Sequence, residues 1–270
     1  MIPTRLFPPV PSETNRVTEA MPDESVYSAV GDEIDQLLAG IELARLDPSG
    51  TRPASSLEAL SLVTIFQFAE NLPDRRAAEA TRTRTDWKYA LRLARTYPTL
   101  DHRSLCEFRL LLWREPAAQQ VFQQVLDRMA ETDLWSGADR QAPTAREVLE
   151  AVCRVSRLEQ LIEAMRMMLE AMAAFEPEAL RTITLPHWYE RYSQIQAARD
   201  LPKSKEEQTA LAQAVGADIR YLLEAIARSG ADLVSLPEAR VLQQIWLLQF
   251  DPAEHPIQWH TPMCASCSLL

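Results

Sequence analysis

The sequence predicts an all-α, multi-helical protein, and three observations carry that reading. Six glycines in 270 residues are too few for a β-rich or phosphate-loop architecture of this size. Most of the 18 prolines fall between apolar periodic segments, where they punctuate helices. Within those segments the apolar residues recur at spacings of three and four. At 47% hydrophobic, the chain can bury a full core in one or two domains. No run of about 18 apolar residues is present, so a membrane span is not expected. Prolines break the first 16 residues, MIPTRLFPPVPSETNR, where a secretion signal needs a continuous apolar core. A cytoplasmic location follows as the expectation.

Residues 1–24 are proline-rich and polar, and read as an extended arm. From Ser25 to Leu46, Val26, Val30, Ile34, Leu37, Leu38, Ile41 and Leu46 keep helical spacing, which predicts one helix or two short ones. Asp47–Ala54 (DPSGTRPA) is a loop by composition. Ser55 or Ser56 can cap the following helix, which runs to about Asn71 and is apolar on nearly all sides. It should therefore be the most enclosed helix of its domain. Pro73 starts the next, with Asp74 in a first turn that favours a carboxylate. Ala77, Ala78 and Ala80 leave Arg75, Arg76, Arg82 and Arg84 as its prominent side chains. Thr85 and Asp86 can cap the helix WKYALRLARTY, in which Lys88, Arg92 and Arg95 alternate with aromatic and leucine residues. Trp87 is there read as core. Asp101 begins another helix, with Leu105, Phe108, Leu111, Leu112 and Trp113 inward and Arg103 and Arg109 toward the other side. Short helices about a tight turn, with arginines on two of them, suit a helix-turn-helix arrangement that places one helix in a major groove.

A second region is more regular. Apolar residues at Val148, Val152, Val155, Leu158, Ile162, Met165, Leu169 and Met172 form one long stripe. Met165, Met167, Met168 and Met172 read as adaptable core filling. Further helices are expected from Pro186, from Ser204 to Ser229 with Gly230 closing it, and after Pro237.

Charge is unevenly distributed. The chain carries a net −10, yet Asp74–Arg114 contains ten basic and five acidic residues. Everything outside that stretch therefore sums to −15. A local basic face within an acidic protein is what phosphate contact requires. The four cysteines make no disulfide framework in a chain this long. Cys106 and Cys153 sit in helical patterns and read as buried small residues. One CxxC, Cys264 and Cys267, with His255 and His260 nearby, is too little for a metal site, and 251–270 reads as a disordered tail.

The words LPDRRAAEA, DWKYALRL and LDHRSLCEFRLLL resemble, in order and across about 60 positions, a pattern in the N-terminal domain of DDE-type insertion-sequence transposases. PPVPSETNRV upstream continues the likeness, as do RVSRLEQL, LPHWYERY, LPKSKEEQTALAQAVGADIRYLLEAI and LPEARVLQQIWLLQF downstream. The resemblance implies an N-terminal DNA-binding domain over 25–136 and, over 137–250, a helical region like the insertion in the family's catalytic domain. Without a core sheet to pack on, those helices would expose apolar faces, with self-association or poor solubility as the result; a homodimer is expected on the inverted end repeats of the element.

The family's chemistry uses two aspartates and a glutamate that hold two Mg²⁺ ions for cutting and joining DNA. The first aspartate belongs in a word like R-T-D-S-T-H-V-L; aligned on Val148-Leu149, this chain places Thr144 there, and a threonine cannot supply a charged metal ligand. Asp139 lies five residues early and reads as a loop carboxylate, while the other two acidic positions would fall beyond residue 270. The resemblance thus implies a truncated, catalytically inactive transposase-like protein with no metal site or cofactor of its own, Mg²⁺ being expected for intact members only. It would bind DNA at the ends of its element through Arg75, Arg76, Arg82, Arg84, Lys88, Arg92, Arg103 and Arg109. The alternative is a helical protein–protein interaction module whose arginines are merely solvated.

Overall fold

A computed structural model describes residues 9–19, 25–47, 49–50, 54–132, 142–194, 201–229 and 232–260. Among the described residues there are twelve α-helices and no strand. They fall into two units, Met1–Val152 and Cys153–Leu270. The division differs from the expected boundary at 136/137. The reason is the 31-residue helix Ala145–Phe175, which spans it: Val148, Leu149 and Val152 belong to the first core, and Val155 onward to the second.

The first unit contains α1 (Ser12–Glu19), α2 (Val26–Leu37), a 3₁₀ turn (Leu43–Leu46), α3 (Ala54–Glu70), α4 (Asp74–Thr83), α5 (Thr85–Ala90), α6 (His102–Arg114) and α7 (Pro116–Met129). Helix α3 is its axis. Every residue from Leu57 to Gln67 is buried except Ala59, and the 3₁₀ turn, α4, α6 and α7 all pack against it. The side chains of Ser55 and Ser56, its expected caps, lie outside what is described. Helix α1 replaces part of the expected extended arm. Thr14 donates its hydroxyl to the Leu93 carbonyl at 2.9 Å and is buried, so this short segment is held against the unit.

Two helices end on a left-handed residue that is not glycine. Asn71 (φ 55°) closes α3, with Leu72 N–H donating to the Gln67 carbonyl at 2.8 Å and Asn71 N–H to Phe68 at 3.3 Å. Arg92 (φ 54°) closes α5 in the same way, through Leu93 N–H to Lys88 at 2.8 Å and Arg92 N–H to Tyr89 at 3.0 Å. Both are Schellman ends. The second stops at Ala90 the helix that periodicity extends to Tyr97. Tyr27, Phe66 and Trp87, from α2, α3 and α5, meet with ring centroids 4.7–5.8 Å apart, so Trp87 is core as expected.

The second unit takes up α8 (Ala145–Phe175) from Cys153 onward, then α9 (Pro177–Ile183), α10 (Pro186–Gln194), α11 (Lys205–Arg228), a 3₁₀ turn (Asp232–Ser235) and α12 (Pro237–Leu247). Met165, Met168 and Met172 are core, while Met167 is exposed. Cys106 and Cys153 are both buried, as their patterns suggest. Ser204 caps α11, accepting from Glu207 N–H at 3.2 Å; Gly230 lies outside the described residues. Gly216 is required by close approach, since a Cβ there would stand 2.3 Å from Phe250 Cζ. The first half of the expected tail is packed instead. Ile257 and Trp259 lie on the second core, and His260 N–H donates to the Gln249 carbonyl at 2.9 Å. Cys264 and Cys267 fall outside the described residues.

Candidate nucleic-acid interface

The eight basic residues singled out in the first unit separate by depth. Arg109 points inward and is 2% exposed. Its Nη1 and Nη2 donate to the two oxygens of Asp74 at 2.6 and 2.5 Å, a bidentate pair, and Gln67 Nε2 adds a third bond to Asp74 at 2.9 Å. The Asp74 carboxylate at the start of α4 thus serves this buried bond, not only the helix dipole. Sequence reasoning had Arg109 facing away from the apolar side. The signal to the contrary was present: Leu105, Phe108, Arg109 and Leu112 follow the i, i+3, i+4, i+7 spacing of one face.

Arg84, at the junction of α4 and α5, is equally committed. It donates through Nη1 to both Glu70 oxygens at 2.5 and 2.7 Å, and through Nε and Nη2 to Asp86 at 3.1 and 2.6 Å. Its guanidinium also stands over the Tyr27 and Trp87 rings at 5.0 and 5.2 Å. Burial acts to raise the Asp86 carboxyl, but the hydrogen bonds and charge of Arg84, with the Ser25 hydroxyl and the Trp87 N–H, together outweigh it and hold the group below its ordinary value. The same cluster, by burial first and the Glu70 hydrogen bond second, pushes the Tyr27 phenol far above its ordinary range.

Lys88 is buried, and its Nζ donates to the Arg95 carbonyl just beyond the end of α5. Burial, then the Arg82 and Arg95 charges, lower its ammonium. Arg92 bonds the Asp35 carboxylate at 3.1 Å and the Gly31 carbonyl at 3.4 Å. Four of the eight are therefore tied into the interior: Arg84, Lys88, Arg92 and Arg109. The six-residue α5, with Asp86, Trp87, Lys88 and Ala90 buried, is not a projecting recognition helix.

The other four stay outward. Arg75 and Arg103 are exposed and form no ion pair among the described residues. Arg76 and Arg82 flank Glu79 at 3.6 and 3.2 Å on the same open face of α4. Arg75 and Arg82 line an open groove of about 540 Å³, with Ala78, Glu79, Thr99, Leu100, Asp101 and His102 completing it. Its floor is local chemistry. Ala77, Ala78 and Ala80 let α4 sit close to α6, and Thr99 Oγ1 donates to the Ala78 carbonyl at 2.8 Å. Leu100 N–H donates to Thr81 Oγ1 at 3.1 Å, so the segment before α6 is held against α4. Asp101 then caps α6, accepting from Arg103 N–H at 2.9 Å. The groove thus sets two arginines opposite the N-terminal turn of a 13-residue helix, whose dipole favours anions. His102 was missed in the sequence, where it reads only as part of a helix start.

Thr144 has a structural task. Its hydroxyl and N–H both donate to Glu147 Oε2 at 2.8 Å, and Glu147 N–H donates back to Thr144 Oγ1 at 3.2 Å, a capping box at the start of α8. These bonds hold the Glu147 carboxyl below its ordinary value. Asp139 lies outside the described residues. His255 pairs with Arg220 at 3.1 Å and His260 with Glu254 at 2.8 Å. Among the described residues no group of three His, Cys, Asp or Glu side chains is placed to hold a metal ion, and no helix is long and apolar enough to cross a membrane.

Residues 16–110 match a family model described as a transposase domain (DUF772). The matched stretch runs from within α1 into α6 and contains the whole groove. No curated protein and no solved structure matches the chain. The similarity supports a transposase-like protein.

Proposed function

We propose that this transposase-like protein binds duplex DNA through the outward face of α4 and the N-terminal turn of α6. The observation that carries this reading is a coincidence of position. The stretch similar to a transposase domain is also the one whose groove presents Arg75, Arg82 and, at its edge, Arg103 to solvent. Guanidinium groups around a helix N-terminus suit phosphate oxygens, which position a protein on a duplex without reading its sequence. Bases would be read by whatever side chains the docked face then brings into a groove. The DDE resemblance points to the terminal sequences of an insertion element as the specific target.

The capping role of Thr144 supports a binding protein without the metal-dependent cutting step of the DDE type. Where that chemistry requires a carboxylate, this residue spends both of its donors on Glu147. A gel-shift assay at low salt, with duplexes taken from either side of the protein's own reading frame, tests the proposal. Retarded complexes that weaken steeply with salt are expected, because each neutralised phosphate releases counterions. Absence of any complex at low salt would end it.

A further inference from the structure

A cavity of about 580 Å³ opens in the second unit, outside the stretch matched to the transposase domain. Local sequence builds it. Helix α8 ends at Phe175, Pro177 and Pro186 each start a short helix, and buried Ile183, Trp188 and Tyr192 anchor α9 and α10 in the same core as α8. Leu169 of α8, Leu180 of α9 and Leu185 of the link between α9 and α10 are only partly buried in that packing, and all three line the cavity. Trp188, Tyr189 and Tyr192 of α10 supply its aromatic lining.

Neighbouring contacts hold this frame in place. Trp188 meets the Tyr192 and Tyr221 rings edge-on, with centroids 6.4 and 5.9 Å apart, and the Tyr192 hydroxyl donates to Asp218 Oδ2 at 2.7 Å. Tyr189 is 80% exposed, which leaves an aromatic surface open to an incoming molecule. A concave, mostly apolar space of a few hundred Å³ with few polar groups is the usual form of a small-molecule site.

Charge narrows the class of ligand. Two charged residues line the cavity, one turn apart on α8. Arg166 donates to Glu163 Oε1 at 3.0 Å, so its charge is answered within the helix. Glu170 is exposed and has no hydrogen bond or ion pair among the described residues. The unanswered charge of the lining is therefore negative. An ammonium is attracted both by a carboxylate and by the face of an aromatic ring, whereas an anion is repelled by both.

We propose that this cavity binds a small organic cation, an aromatic or branched aliphatic body carrying one ammonium group. The body rests on the leucines and the α10 aromatics, and the ammonium lies toward Glu170 and the Tyr189 ring. The same carboxylate disfavours a phosphate backbone. The site is thus separate from the groove on α4 and α6 and does not rest on the DNA-binding reading.

Probes that share one body and differ in charge test it: naphthylmethylammonium, naphthylmethanol and naphthoate, each titrated against the full chain by equilibrium dialysis at fixed ionic strength. The cation binds saturably and about fivefold more tightly than the alcohol, the size of one exposed ion pair with a ring contact. The anion binds more weakly than either. Glu170→Gln brings the cation to the level of the alcohol and leaves the alcohol unchanged. Tyr189→Ala weakens both, whereas Phe175→Ala, at an exposed aromatic outside the lining, changes neither. All three positions are exposed, so the fold is not at stake. No saturable binding of the cation, equal binding of cation and anion, or an unchanged preference in Glu170→Gln overturns the proposal. So does a dimer in sedimentation that Tyr189→Ala dissociates, because a second copy of the chain would then be the occupant.

Discussion

Arg109 and Arg75 belong to packed neighbouring helices of the same unit, and their surroundings are opposite. Arg109 looks into the core from α6 and is locked to both oxygens of Asp74; Arg75 looks out from α4 over an open groove. The same division runs through the whole basic segment. Arg84, Lys88 and Arg92 hold α5 to what surrounds it, whereas Arg82 and Arg103 face water and Arg76 lies half-buried beside Glu79. A local excess of positive charge is therefore two populations under one count. The inner one neutralises Asp35, Glu70, Asp74 and Asp86 and builds the fold, and only the outer one remains for a partner.

The comparison breaks most visibly at Arg109. Arg109→Ala leaves the Asp74 carboxylate buried without its cation, and a loss of about 3–5 kcal/mol of unfolding free energy is expected. Chemical denaturation of Arg109→Ala, Asp74→Ala and the double variant checks this. The double variant should lose less than the two single changes combined, because removing both charges leaves no orphan. Strict additivity would show that the pair does not act as a unit.

A smaller effect comes from pH, again on the inner side. Glu58 on α3 is 1% exposed and has one buried oxygen without a hydrogen-bond partner among the described residues. Burial, then the negative charge of Asp35 on α2, push its carboxyl up to about 7. Asp35 is in turn bonded by Arg92, so the groups facing this region come from α2, α3 and the end of α5. The folded state holds the Glu58 proton more tightly than the unfolded chain does. The stability this contributes is full below about pH 4.5 and is lost as pH rises to about 7. The loss over that window is about 3 kcal/mol at most. Glu58→Gln, which mimics the protonated acid, should flatten the slope; an unchanged pH profile in that variant would assign the slope to other groups.

Much of this fold was legible because its signals are local. Asp101 and Ser204 read as the starts of helices, α3 as the most enclosed helix, and α8, α11 and α12 as periodic helices, and each is found where spacing puts it. The all-helical class follows from those elements. What was not legible depends on partners far along the chain. Nothing around Arg84 announces that Glu70 will meet it 14 residues earlier, and nothing in WKYALRLARTY signals a left-handed turn at Arg92 where glycine is usual. The groove was half visible. Its arginines stand out by composition, but the role of Thr99, Leu100 and His102 in closing it needs the packing of α4 against the start of α6. Arg109 is the exception, since its helical spacing already placed it with Leu105, Phe108 and Leu112.

The outer population supplies the smallest change in stability and the sharpest separation of the two. Arg75 has no ion pair among the described residues to lose, and Arg82 gives up only an exposed contact with Glu79. Replacing both by alanine should alter unfolding free energy by no more than about 0.5 kcal/mol, the usual range for surface changes. On DNA the same variant should behave differently. If each arginine neutralises one phosphate, the slope of log affinity against log salt falls in magnitude by about 2, and affinity drops alike on all duplex sequences. Fluorescence anisotropy at several salt concentrations reads both quantities from one titration series. An unchanged slope would remove Arg75 and Arg82 from the contact surface and turn attention to Arg76 and Arg103. A loss confined to one sequence would mean that these arginines touch base edges, since contacts to phosphate carry no sequence preference of their own.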